Sequence, residues 1–179
     1  HNIGNDAYGY EEMNAMAAKA PIGSDGLVFI PFGNGSERIL ENKNLGAQLH
    51  NLDFNRHNVN HLLRAGQEGI VSSLTYGFNI MKSMGMKLNT VKAGYANMFL
   101  SPLFREAFAN MTGATIELYN TDGAQGAARG AGVGSGVYSS FEEAFRGLKR
   151  IDVIEPDPAL KSQYEATYGK WLEHLNKQL

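Results

Sequence analysis

The chain has 179 residues, of which 43% are hydrophobic, 16 are basic and 18 are acidic. This length fits one domain with a real hydrophobic core, and the near balance of charge gives no electrostatic reason to expect binding to nucleic acid or to an anionic membrane surface. The absence of cysteine excludes disulfides and thiolate metal sites, and no apolar run is long enough to span a membrane. Because the sequence also shows no apolar signal segment, we expect a cytoplasmic protein.

The segment before the longest helix is predicted to hold one helix and one or two short strands. Residues 1–10 start no element cleanly, whereas residues 10–19 are rich in good helix formers and predict a short helix. The apolar run at residues 27–30 predicts a buried strand that ends at a proline. Residues 33–44 are turn-rich and predict a loop, and residues 45–52 have room for another short strand.

The longest predicted helix is marked by apolar residues that recur every three or four positions. Asn58 is a plausible cap at its start, and Gly85 is a good residue at its end. The periodic positions are Val59, Leu62, Leu63, Gly66, Ile70, Leu74, Phe78 and Met81.

Strands and helices alternate after residue 86, which predicts βαβ units in a single α/β domain. In order, we predict a strand at residues 90–93, a helix at 102–111 closed by Gly113, a strand at 114–118, a helix from the cap Asp122 to about residue 132, a helix at 141–148, and a last helix opened by Pro156 and Pro158. The small residues of the helix after Asp122 are predicted to let it pack tightly on a sheet.

Several familiar sites are absent from the sequence. It contains no phosphate-binding Gly-x-x-x-x-Gly-Lys-Ser/Thr loop, no Gly-x-Gly-x-x-Gly fingerprint and no Gly-x-Ser-x-Gly elbow. His57 and His61 share one helical face, but no third ligand accompanies them. We therefore interpret them as a solvated or capping pair and predict no metal site from residues of this chain.

Three segments, in order, resemble the FGGY carbohydrate kinases, a family that includes xylulokinase, gluconokinase and glycerol kinase. The first is GSDGLVFIPF at residues 23–32 followed by GSER at 35–38, where the family shows a strand that ends in proline and then a Gly-Glu-Arg loop. The second is LRAGQEGI at residues 63–70, which is similar to the family's Arg-Ala-x-x-Glu-Gly helix. The third is AGYANMFLSPLFR at residues 93–105 with GAQGAA at 123–128.

The resemblance implies an actin-like, ribonuclease H-like ATPase fold and identifies residues 1–179 as most of the C-terminal domain of such a kinase, with the xylulokinase branch nearest. It implies a parent enzyme that transfers the γ-phosphoryl group of ATP, with Mg²⁺, to a sugar hydroxyl. The sugar and the catalytic aspartate would belong to an N-terminal domain outside this sequence. The resemblance therefore implies ATP as a partner, a sugar bound through that other domain, and no kinase activity in this chain alone.

The resemblance also places four residues at the adenosine site: Ala93, Gly94, Tyr95 and Asn97. A glycine at the end of a strand lets backbone approach a flat base, and a following helix start offers free N–H groups. The sequence departs from the family here, because Ala93-Gly94 replaces a glycine pair and Tyr95 is bulky enough either to stack on adenine or to obstruct it. The alternative is an ordinary strand-to-helix turn with Asn97 as its cap. Gly123 and Gln125 are further candidates for the edge of this site.

Two charged pairs are assigned no catalytic role. Glu37 and Arg38 are expected to form a surface ion pair in a turn, and the family places this loop near the cleft. Arg64 and Glu68 lie one helical turn apart and are expected to form an ordinary pair on the helix.

A second function stays open at this stage. A domain of actin-like fold could serve as a non-catalytic binding module that self-associates, for example as a homodimer, through an apolar cleft face.

Overall fold

The computed structural model describes residues 8–179. Most of the segment at residues 1–10, for which the sequence predicts no clear element, therefore lies outside the described residues. The elements in chain order are α1 (Tyr10–Ala17), β1 (Val28–Phe32), β2 (Gly46–His50), α2 (Val59–Ser83), β3 (Thr90–Gly94), α3 (Pro102–Thr112), β4 (Thr115–Tyr119), α4 (Gly123–Gly134), α5 (Phe141–Phe145), β5 (Arg150–Ile154) and α6 (Lys161–Asn176).

The five strands form two small sheets. Strands β1 and β2 form an antiparallel pair, while β3 and β4 pair in parallel and β5 adds to β4 in the antiparallel direction. Helix α2 packs against β1, α1, α3 and α6. The predicted mixed α/β class is therefore confirmed, although β5 was missed and α5 ends before the predicted limit of residue 148.

The ends of the helices follow the capping signals in the sequence. The Asn58 side chain accepts a hydrogen bond from the Asn60 N–H at the start of α2, and Gly85 follows the end of that helix with φ of 88°. Ser101 caps α3 in the same way, and Gly113 ends it with φ of 70°. The prolines do not open α6, which begins at Lys161, beyond both of them.

The core consists of two apolar clusters. One lies between α2, α3, the β3–β4 sheet and α6, and its buried residues are Val71, Phe104, Ala107, Phe108, Ala109, Ile116, Leu118 and Tyr164. The other joins β1 to the end of α6, and its buried residues are Val28, Ile30, Phe32, Leu40, Trp171 and Leu175. Burial of this apolar surface is the main force that holds α6 against β1, α2 and α3.

Helix α4 corrects one prediction about packing. None of its residues is buried, and an added methyl group would meet no atom within 4 Å at Gly123, Gly126, Gly130 or Gly134. Of the glycines in α4, only Gly132 has a close neighbour on this test, since an added methyl group there would lie 2.7 Å from the Tyr138 ring. The small residues of α4 therefore do not serve tight packing on a sheet of this chain.

Candidate functional site

A pocket of about 270 Å³ lies where the parallel strands β3 and β4 end and α4 begins. We call it the strand-end pocket. Ligands of open α/β sheets bind outside the carboxyl ends of the strands, which is the position of this cavity. It is lined by Ile70, Leu74, Gly94, Ala96, Asn97, Met98, Phe99, Phe104 and Gly123.

A tight turn after β3 forms one wall of the strand-end pocket. The Tyr95 N–H donates to the Tyr119 carbonyl at 2.9 Å, which extends the pairing of β3 with β4 by one bond. The chain then enters a short 3₁₀ turn at Asn97–Leu100, and Asn97 itself has φ of 52°. Left-handed backbone is uncommon for a residue other than glycine, although Asn tolerates it better than most.

Gly94 lines the pocket, but the structure gives a different reason for glycine there. A Cβ at Gly94 would lie 2.4 Å from the Thr121 carbonyl oxygen and 3.1 Å from the Asp122 Cα. The bare side of Gly94 therefore faces the β4–α4 connection of its own chain. The sequence suggested that the missing Cβ makes room for a base. In the structure, the missing Cβ lets the backbone of Gly94 lie close to the backbone of Thr121 and Asp122.

The four predicted site residues separate into two pairs. Gly94 and Asn97 line the strand-end pocket, whereas Ala93 packs against the core cluster around α3. Tyr95 is 44% exposed and lies outside the pocket lining, and its ring centre is 5.7 Å from the Arg105 guanidinium. In this structure Tyr95 therefore neither stacks in the pocket nor blocks it.

The alternative reading of Asn97 as a helix cap is wrong. The side chain that caps α3 belongs to Ser101, whose Oγ accepts a hydrogen bond from the Phe104 N–H at 3.3 Å. Asn97 lies four residues earlier, so its side chain is not needed to cap that helix.

The start of α4 places a negative charge at the edge of the pocket, next to Gly123. The Asp122 carboxylate accepts a hydrogen bond from the Gln125 N–H at 2.8 Å, and this bond is the main reason that the pKa of Asp122 lies below its usual value. The Gln125 side chain also donates to Asp122, at 3.2 Å, and does not line the pocket. The edge near Gly123 thus favours an uncharged ring or a hydroxyl donor over a phosphate group.

A larger groove of about 1330 Å³ runs along the same part of α2. It lies between α2, β1 and the segment at residues 37–43, and Ile70 and Leu74 line both cavities. Glu37 and Arg38 line the groove, but residues 8–179 contain no ion pair between them. The predicted surface pair is therefore wrong. The contact that Glu37 does make is a backbone bridge to Lys43.

The Arg64–Glu68 pair is more than an ordinary pair on a helix surface. Its two side chains are only 7% and 4% exposed, and Arg64 Nε donates to Glu68 Oε1 at 2.7 Å. The Gly23 N–H and the Ser24 hydroxyl donate to the Glu68 carboxylate. Arg64 donates in turn to the Ala20 carbonyl and to the Tyr164 hydroxyl. This buried network holds the segment before β1 against α2 and α6, which is a structural role that sequence spacing alone did not reveal.

The two histidines near the start of α2 are buried rather than solvated. His61 Nδ1 accepts a hydrogen bond from the Asn58 N–H at 3.2 Å, so the predicted capping role is confirmed for His61. His57 Nδ1 accepts from the Asp53 N–H at 3.0 Å. Across residues 8–179, no three His, Asp or Glu side chains come together as a possible metal site. The described residues therefore offer no cluster of protein ligands that would hold Mg²⁺ by themselves.

No family profile matches the chain. It is 31% identical over 171 residues to the L-xylulose/3-keto-L-gulonate kinase of Escherichia coli, covering 93% of this chain and 33% of that protein. It is 27% identical over 173 residues to the xylulose kinase of Haemophilus influenzae, covering 93% of this chain and 34% of that protein. The chain is related to the FGGY carbohydrate kinases. It spans about a third of the length of these relatives.

Comparison with solved structures identifies the fold of the chain. The ligand-bound xylulose kinase of Lactobacillus acidophilus superposes with a TM-score of 0.77 at 21% identity, covering 93% of this chain and 34% of that one. The predicted actin-like ATPase fold is therefore confirmed. No helix within residues 8–179 is both long and apolar enough to cross a membrane.

Proposed function

We propose that this chain is the nucleotide-holding part of a carbohydrate kinase that acts on xylulose or a related sugar. The observation that carries the proposal is the strand-end pocket, which combines a polar turn with an apolar helix face at the carboxyl ends of two parallel strands. The relatives of this chain include kinases for xylulose and L-xylulose, which supports phosphoryl transfer to a sugar hydroxyl as the reaction.

The chemistry of the pocket suits the adenosine end of ATP. Ile70, Leu74 and Phe99 supply apolar walls on which a flat ring can pack. Asn97 offers an amide that can donate and accept hydrogen bonds in the plane of a base. Asp122 can accept a hydrogen bond from a ribose hydroxyl, and its charge directs the phosphates away from this edge. In this assignment Gly94 and Asn97 line the base site, and Ala93 and Tyr95 support it from outside.

The reaction itself needs more than these residues. A sugar hydroxyl oxygen attacks the γ-phosphorus and gives up its proton to a base outside these residues, while the bond from that phosphorus to the bridging oxygen breaks and ADP leaves. Catalysis then consists mainly of positioning and charge neutralisation. Mg²⁺ would arrive with ATP and neutralise phosphate charge. The part of this chain is to bind and orient adenosine, and we propose that residues 1–179 act as one nucleotide-side domain, in the cytoplasm, with the sugar held elsewhere in the whole kinase.

Calorimetric titration of the chain with ADP and ATP tests the assignment of the pocket. Asn97→Ala is expected to weaken binding about tenfold, because hydrogen bonds in a partly desolvated site contribute on the order of 1 kcal/mol each. The control Asn176→Ala removes an exposed amide at the end of α6 and is expected to bind like the wild type. Equal affinities for the two variants, or no binding by the wild type, would refute the assignment.

A coupled assay tests whether the chain is a catalyst by itself. With ATP, Mg²⁺ and xylulose or L-xylulose, we expect no release of ADP above the rate without protein. Phosphorylation of either sugar by residues 1–179 alone would show that the chain is complete for catalysis.

A non-catalytic role in self-association is the second candidate. Helix α4 buries none of its residues, and Val137 and Phe141 beside it are 72% and 61% exposed. Exposed apolar side chains of this kind favour association. Sedimentation that shows a tight dimer, together with no affinity for ADP or ATP, would favour this function over the kinase assignment.

A further inference from the structure

We propose that Gln67 is a positioning residue that fixes the wall of the strand-end pocket through Ser101. The inference rests on the proposed function, since it concerns how the chain keeps its nucleotide pocket open. It is drawn from the few bonds that hold the turn at residues 95–101 to the rest of the protein.

Within the part of the chain that the structure describes, this turn is tied to other elements by two hydrogen bonds, apart from its own junction with α3. The first is the bond from the Tyr95 N–H to the Tyr119 carbonyl on β4, at 2.9 Å. The second runs from the Ser101 hydroxyl to Gln67 Oε1 on α2, at 2.7 Å. Between these two bonds, the backbone makes only local hydrogen bonds between residues two or three positions apart. One end of the turn is therefore bonded to the sheet, and the other end, where Ser101 leads into α3, is bonded to α2 by the side chain of Gln67. Between these ends, Met98 and Phe99 pack against the core cluster around α3.

Gln67 is placed so that both ends of its amide are used. Its side chain is buried, its Oε1 accepts from Ser101, and its Nε2 donates to Asn14 Oδ1 on α1 at 2.9 Å. Burial of an amide is costly unless its donor and acceptor are both satisfied, so these two bonds determine where the side chain lies. Gln67 thereby links α1, α2 and the turn of the pocket.

The same face of α2 provides the opposite wall of the pocket. Ile70 and Leu74 follow Gln67 at intervals of three and four residues, so the three side chains lie along one side of the helix. The bond from Gln67 to Ser101 thus sets the separation between the helix wall and the turn.

Asn97 is the residue that depends on this separation. Its φ of 52° lies in the left-handed region, which is uncommon for residues with a side chain although Asn tolerates it better than most, so Asn97 can take a commoner backbone conformation when its surroundings change. Without the anchor at Ser101, the segment at residues 97–101 can relax, and the Asn97 amide then leaves its place in the pocket wall.

Gln67→Met tests this inference, because it keeps the length of the side chain and removes both hydrogen bonds. Its matched control is Asn14→Ala, which removes only the bond to α1. We expect Gln67→Met to weaken ADP binding about fivefold to tenfold, the effect of losing one buried hydrogen bond, and Asn14→Ala to change it less than about twofold. Gln67→Glu keeps an acceptor for the Ser101 hydroxyl, and it is expected to restore affinity although it lowers stability.

Hydrogen exchange of the chain without nucleotide gives a second readout. Amides at residues 97–101 are expected to lose protection in Gln67→Met but not in Asn14→Ala. Unchanged protection of the turn in Gln67→Met, or equal losses of affinity in both variants, would overturn the inference. Binding by the wild type with unaltered affinity in Gln67→Met refutes the role of Gln67 alone. Absence of binding by the wild type refutes the proposed function, and the nucleotide role of Gln67 with it.

Discussion

Replacement of Gly94 by alanine separates two explanations of the glycine at the end of β3. If the glycine is required by the protein's own packing, the added Cβ meets the Thr121 carbonyl oxygen at 2.4 Å, where real Cβ contacts are essentially never shorter than 3.0 Å. The backbone at residues 94 and 121 must then separate by roughly 0.6 Å or more, and overpacking of this kind costs about 1–3 kcal/mol. For a chain of this size, that corresponds to a fall in Tm of roughly 2–12 °C.

Gly123→Ala is the matched control, because Gly123 lines the same pocket and its added Cβ meets nothing within 4 Å. Alanine is also the better helix former by about 0.5–1 kcal/mol, so this variant should be as stable as the wild type or slightly more stable. Urea unfolding followed by circular dichroism measures both variants. If Gly94→Ala unfolds at the midpoint of the wild type, close approach to Thr121 is not the reason for the glycine.

Three further predictions concern the rest of the fold. Glu68→Ala is expected to cost about 3–5 kcal/mol in urea unfolding, because it leaves Arg64 buried without its partner, and the double variant with Arg64→Met should recover part of the loss. Trp171→Ala is expected to cost about 3–5 kcal/mol, since the ring fills the cluster between β1 and α6; a loss below 1 kcal/mol would contradict this packing. Burial, and then the nearby charge of His50 in the ring stack, lower the pKa of His174, so the folded state binds fewer protons than the unfolded state below pH 6.5. Stability should therefore fall as the pH drops below 6.5, and His174→Phe should reduce that fall in Tm measured from pH 7.5 to pH 5.5.

Local signals in the sequence were sufficient for most element boundaries. Asn58, Gly85 and Gly113 act within one turn of the chain, because a cap bonds the adjacent backbone and a left-handed glycine needs no distant partner. The strand at residues 150–154 was missed because four of its five residues are exposed, so no buried face marks it, and its position depends on pairing with β4. The β-strand propensity of such a short segment is decided by its neighbours.

The sequence by itself determined the α/β class, the long helix α2, the caps and the resemblance to sugar kinases, because these depend on periodicity and short-range bonding. Only the tertiary structure decided that Gly94 is pressed by the Thr121 carbonyl, that Arg64 and Glu68 are buried, and that Gln67 reaches Ser101. These contacts join residues 4 to 34 positions apart, and those of Gly94 and Gln67 join different parts of the fold. Their energies depend on burial, and burial is a property of the packed elements together rather than of any one segment.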